Sequence, residues 1–137
     1  MFLLDTNIIS ELVKKQPDAS VINKIETYRN ALVIASPVWH ELIFGCHRLP
    51  VSPKKEAIEF FLHTTIQKTL LILPYDEKSA AWHAIERSRL SSKGLTPAFV
   101  DGQIASIAFT NDCILVTRNI KDYQGFSGLL FENWFET

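Results

Sequence analysis

Ala31-Leu32-Val33-Ile34-Ala35-Ser36-Pro37 is an unbroken apolar run that stops at a hydroxyl residue followed by proline. A run with no polar alternation suits a strand covered on both faces, the usual condition of a parallel sheet. Ser36-Pro37 then reads as a helix start, a cap residue with proline at the first helical position. That helix is expected to run to about Leu49.

The same grammar extends in both directions. Toward the N-terminus, Phe2-Leu3-Leu4 reads as a strand ending on Asp5, with a helix from Thr6 to Lys15 behind it. Asp18 is placed to cap a second helix, whose Val21, Ile22, Ile25 and Tyr28 recur at helical spacing. Toward the C-terminus, Ser52-Pro53 opens a helix with Ile58, Phe61, Leu62 and Ile66 on its apolar face, and Leu70 to Leu73 is a third strand. Asp76 caps a helix to about Ser92, with Gly94 as its stop. Thr96-Pro97 is expected to open another helix through Phe109. An Asn111-Asp112 turn then leads to a fourth strand, Cys113 to Thr117. A polar loop, Arg118 to Gly125, precedes a last short strand near Leu129 to Phe131. This alternation predicts one α/β domain over residues 1–137, three-layered, with a mainly parallel central sheet of about five strands flanked by helices.

Composition agrees with one soluble globule: 137 residues, 47% hydrophobic and 21% charged. Fourteen basic residues against fifteen acidic ones give a net charge of −1, so any nucleic acid must be held by local patches rather than by bulk charge. Cys46 and Cys113 are isolated and read as buried thiols, not a disulfide. No apolar run approaches membrane-spanning length and no signal-like leader is visible, so a cytoplasmic protein without a membrane partner is expected.

The acids carry the functional signal. In open α/β sheets, functional groups gather beyond the carboxyl ends of the strands. Asp5 ends the first strand. Glu41 lies five residues after Ser36 and Asp101 five after Thr96, each about one and a half turns into its helix. Asp101 sits among apolar and small residues, Ala98-Phe99-Val100-Asp101-Gly102-Gln103-Ile104-Ala105, with Gly102 and Ala105 permitting close approach of another element. Alone, Asp101 equally suits a carboxylate favoured by a helix dipole. Clustered carboxylates repel, and a hard divalent cation such as Mg²⁺ or Mn²⁺ relieves that repulsion through oxygen ligands. Such a cation polarises a phosphodiester and acidifies bound water.

Four fragments, in this order over nearly the whole chain, resemble the PIN-domain signature, in particular the VapC-type toxins of bacterial toxin–antitoxin pairs. They are Leu4-Asp5-Thr6-Asn7, Ser36-Pro37-Val38-Trp39-His40-Glu41-Leu42, Asp101-Gly102-Gln103-Ile104-Ala105 and Val116-Thr117-Arg118-Asn119. The resemblance implies a Mg²⁺- or Mn²⁺-dependent endoribonuclease in which Asp5, Glu41 and Asp101 hold one or two metals. It also implies that Thr6 and Thr117 orient the acids or their waters. Structured RNA such as tRNA as substrate, a homodimer and a silencing antitoxin are implied in the same way. One departure stands out: many relatives carry aspartate where this chain has Asn119. Asp122 is the alternative source of a fourth acid, and equally suits a turn former in an exposed loop.

Other signals are weaker. His40-Glu41 lacks the second histidine of a zincin motif, since Phe44 occupies that place. No Gly-rich phosphate loop or Gly-x-Ser-x-Gly elbow is present. Lys14, Lys15, Arg87, Arg89 and Lys93 read as solvated basic groups. Arg118, leaving the fourth strand, is placed to hold an RNA phosphate or to make a surface ion pair. Trp39, Phe44, Phe60 and Phe61 read first as core, and second as an apolar strip for a dimer or an antitoxin helix. The competing readings are a non-catalytic α/β ion- or partner-binding module and a phosphoryl-accepting domain using Asp5. The latter lacks the second aspartate it would want, because Asn7 stands there.

Overall fold

Five short strands make one sheet in the computed structural model, which describes residues 1–135. They are β1 (Phe2–Leu4), β2 (Leu32–Ala35), β3 (Leu71–Leu73), β4 (Ile114–Val116) and β5 (Phe131–Glu132), in the order β3-β2-β1-β4-β5. Every pairing is parallel, with Phe2 opposite both Leu32 and Ile114. The apolar runs explain this: all of β2 is buried, as are Leu3, Leu4, Leu115 and Val116. Each fully buried aliphatic side chain contributes about 1.5–3 kcal/mol relative to exposure.

The helices are α1 (Thr6–Glu11), α2 (Ala19–Thr27), α3 (Ser36–His47), α4 (Pro53–Phe61), α5 (Gln67–Thr69), α6 (Glu77–Ser92) and α7 (Phe99–Thr110). A single π-helical stretch, Leu62–Ile66, joins α4 to α5. Capping follows the expected chemistry at three helices. Asp18 accepts from the Val21 backbone N–H, Ser52 from Lys55 and Asp76 from Ser79. Gly94, at φ +75°, closes α6, with its N–H on the Ser91 carbonyl and that of Leu95 on the Leu90 carbonyl. The Asn111-Asp112 turn places Asp112 at φ 54°. Cys46 and Cys113 are free and buried. Among the described residues, no helix is long and apolar enough to cross a membrane.

Several boundaries differ from expectation. α1 ends at Glu11, not Lys15, with Leu12 as its cap. Ser36 is the first residue of α3 rather than its cap; Ala35 precedes the helix and contributes no side-chain bond. Thr96-Pro97 opens no helix. Ala98, after the proline, is still non-helical at ψ 138°, so α7 begins only at Phe99. Asp101 therefore lies in the first helical turn rather than a turn and a half inside. The last strand is Phe131–Glu132, slightly later than Leu129 to Phe131.

Candidate metal-binding cleft

The strand order reverses between β1 and β4: the chain first builds outward through β2 and β3, then returns to the other side of β1. The carboxyl ends at such a switch point leave a crevice, and Asp5 and Thr117 are the residues that follow these two strands. Asp5 is 7% exposed and its N–H donates to the Val116 carbonyl at 2.9 Å, which continues the β1–β4 ladder by one residue. Its carboxylate is held on both oxygens. Oδ1 accepts from the Thr6 N–H at 2.8 Å, so Asp5 also caps α1. Oδ2 accepts from Thr117 Oγ1 at 2.8 Å and from the Tyr123 hydroxyl at 3.3 Å.

The other acids come from different elements. Glu41 is exposed on α3, and its Oε2 accepts from Thr6 Oγ1 at 3.0 Å. Asp101, half-buried at the start of α7, accepts on Oδ1 from the Tyr123 hydroxyl at 3.4 Å. Asp5, Glu41 and Asp101 line one cleft of about 380 Å³, together with Thr6, Arg118 and Asn119. Among the described residues they do not converge into a ready-made group of three metal-holding side chains. Their mutual charge opposes that. Burial, then the Asp122 and Asp5 charges, push the Asp101 carboxyl up to about 6. Burial also raises Asp5, against the lowering effect of its Thr117 and Thr6 bonds.

The fourth position now has a geometry. Asn119 lines the cleft, and its N–H donates to Thr117 Oγ1 at 3.1 Å. Asp122 is exposed on a 3₁₀ turn, Ile120–Asp122; it is not among the cleft-lining residues and is felt there through its charge on Asp101. Arg118 stands at the cleft with its guanidinium 4.4 Å from the centre of the Phe135 ring, and makes no ion pair among the described residues. Its N–H donates to Asn7 Oδ1 at 3.1 Å, tying the end of β4 to α1.

Three residues with a part in this arrangement escaped the sequence reading. Tyr123 is buried and touches two of the acids; nothing local distinguishes it from any aromatic in a loop. His83 is the one buried histidine, with Nδ1 2.8 Å from the Tyr75 hydroxyl and its ring pressed on Gly102. That contact is what the small residue beside Asp101 permits. Glu86 is buried in a bidentate pair with Arg89, so Arg89 is not a freely solvated base. The aromatic strip divides: Phe44 and Phe60 are exposed, while Trp39 and Phe61 pack partly against the core.

A parallel α/β sheet with an oxygen-lined acidic cleft at its switch point defines a class of site suited to hard cations and phosphate esters. The chain belongs to the PIN-domain family, whose model matches residues 2–124. It is similar to ribonuclease VapC2 of Rickettsia felis, 34% identical over 136 residues and 98% of each chain. It is similar as well to the toxin FitB of Neisseria gonorrhoeae, 30% identical over 99% of this chain and 100% of that one. A solved structure of FitAB bound to a DNA fragment superposes with a TM-score of 0.91 at 27% identity, covering 100% of this chain and 97% of that one.

Proposed function

We propose that this protein is a Mg²⁺- or Mn²⁺-dependent endoribonuclease acting as the toxin of a toxin–antitoxin pair. The observation that carries the proposal is the meeting of Asp5, Glu41 and Asp101, from three separate elements, on one cleft. Oxygen donors of this kind, without thiolate or imidazole, suit a hard divalent cation. When bound, that cation polarises a phosphodiester and acidifies its water. The chain's own groups supply the rest. Thr6 and Thr117 fix the carboxylates of Glu41 and Asp5. Asn119 presents an amide to the same cleft, and Arg118 presents a cation for the RNA phosphate. Structured RNA such as tRNA is the substrate class proposed.

Its partner would be an antitoxin. The neighbouring apolar groove of about 260 Å³, lined by Ile9, Val13, Leu42, Ile58, Phe61 and Leu62 beside Thr6 and Glu41, suits an amphipathic helix that blocks the cleft. The exposed Leu95, Phe99 and Val100 before and in the first turn of α7 offer an apolar face to a second copy, as a homodimer requires.

The test is cleavage of cellular RNA by purified protein. Wild type should cut, EDTA should stop it, and Mg²⁺ or Mn²⁺ should restore it. Asp5→Asn and Asp101→Asn should be folded and inactive. An Asp5→Asn protein as fast as wild type would falsify the metal-site reading.

A further inference from the structure

The loop after the 3₁₀ turn carries a phenol into the floor of the acidic cleft. Tyr123 is 1% exposed, and a buried tyrosine hydroxyl needs a hydrogen-bond partner. Here the partners are two carboxylates, Asp5 Oδ2 at 3.3 Å and Asp101 Oδ1 at 3.4 Å. One hydroxyl has one hydrogen, so it is shared between acids that belong to different elements, the end of β1 and the start of α7. Asp5 has two further donors, Thr6 and Thr117. Asp101 has none: among the described residues, Tyr123 is the only group that hydrogen-bonds its carboxylate.

The ring is well fixed. Its backbone N–H donates to the Ile120 carbonyl at 3.0 Å, and the Phe126 N–H donates to its carbonyl at 3.2 Å. The following turn is clamped to α6, where Glu86 Oε1 accepts the Ser127 N–H at 2.6 Å and Arg89 donates to the Gly125 carbonyl at 2.7 Å. A hydroxyl on so constrained a ring is a fixed point between two carboxylates that would otherwise repel.

We propose that Tyr123 is a positioning residue: its hydroxyl sets the spacing and rotamers of Asp5 and Asp101 so that the two carboxylates together receive a divalent cation. It engages Asp5 Oδ2 and Asp101 Oδ1; Asp5 Oδ1 is held in turn by the Thr6 N–H, and among the described residues Asp101 Oδ2 accepts no hydrogen bond. This rests on the metal-dependent reading above and assigns no contact between Tyr123 and RNA.

The experiment uses the full chain and Mn²⁺ alone as probe. Calorimetric titration should show Tyr123→Phe binding Mn²⁺ about tenfold more weakly than wild type, the lower end of what losing a ligand's orienting partner costs. Tyr123→Phe keeps the ring and its packing, so the metal-free protein should retain a wild-type circular dichroism spectrum. With RNA, kcat should fall while KM stays unchanged, because the hydroxyl faces the acids and not the substrate. Phe126→Leu, which alters the packing of the same loop without touching a carboxylate, should leave Mn²⁺ affinity within twofold of wild type, on the order of ordinary variation. Equal Mn²⁺ affinity in wild type and Tyr123→Phe would overturn the proposal and leave the ribonuclease reading standing. If wild type binds Mn²⁺ tightly, Tyr123→Phe binds it weakly and neither cuts RNA, the positioning role holds and the ribonuclease reading falls. No Mn²⁺ binding by wild type overturns both.

Discussion

The hydroxyl of Thr117 donates to Asp5 Oδ2 at 2.8 Å, a buried bond between residues 112 positions apart that locks the ends of β4 and β1 together at the switch point of the sheet. Thr117 Oγ1 in turn accepts the Asn119 N–H, so one side chain orients both the first acid and the loop that follows β4.

Thr117→Val should therefore damage both the fold and the site. It keeps the shape but removes a donor from a buried carboxylate, which costs about 1–3 kcal/mol. Urea unfolding should show that loss, and Thr117→Ser should recover most of it. A valine variant of unchanged stability would mean that the bond is dispensable.

Asn119 and Asp122 can be separated by initial-rate RNA cleavage at saturating Mn²⁺. Asn119 lines the cleft and Asp122 does not, so Asn119→Ala should lose activity on the order of tenfold to a hundredfold. Asp122→Ala should stay near wild type. A large loss for Asp122→Ala alone reverses the assignment, and two silent variants would mean that three acids suffice.

The raised Asp101 carboxyl predicts a pH dependence of the metal-free protein. Its value rises from near 4 in the unfolded chain to about 6 in the folded one, so between these limits the folded state binds more protons. Stability from this group is full below about 4, declines as pH rises through the interval, and is lost above about 6. In EDTA, Asp101→Asn should therefore gain in melting temperature relative to wild type between these values, with no further gain above. A difference that stays flat with pH would show that Asp101 titrates as an ordinary carboxylate.

Gly102 should tolerate no side chain. A Cβ there would lie 2.1 Å from His83 Nε2, and the ring is held by its Tyr75 bond at 2.8 Å. Gly102→Ala should cost about 1–3 kcal/mol, the usual penalty for overpacking. Gly45→Ala, inside α3 with nothing within 4 Å of its Cβ, serves as the control in the same thermal melts and should be unchanged or slightly more stable.

The apolar runs before Asp5 and Ser36 and before Thr117 are sufficient to predict a parallel sheet, because a strand buried on both faces cannot alternate. The caps Asp18, Ser52 and Asp76 and the stop Gly94 were equally legible, since each acts on backbone groups a few residues away. Asp5, Glu41 and Asp101 were visible as acids beyond strand ends or near helix starts. The hydroxyl-proline signal did not decide every helix start. Thr96-Pro97 resembles Ser52-Pro53, yet only the latter begins a helix. What the three-dimensional structure alone decided are the contacts between distant segments. Asp5 meets Thr117 and Tyr123, His83 rests on Gly102, and Glu86 accepts from Ser127. Their partners lie far apart in sequence and are brought together by the strand order β3-β2-β1-β4-β5 and by the packing of α6 on α7 and the C-terminal loop. A residue's chemistry and its near neighbours set helix and strand. Which oxygen faces which hydroxyl is set by how the sheet reverses, and no stretch of sequence contains that.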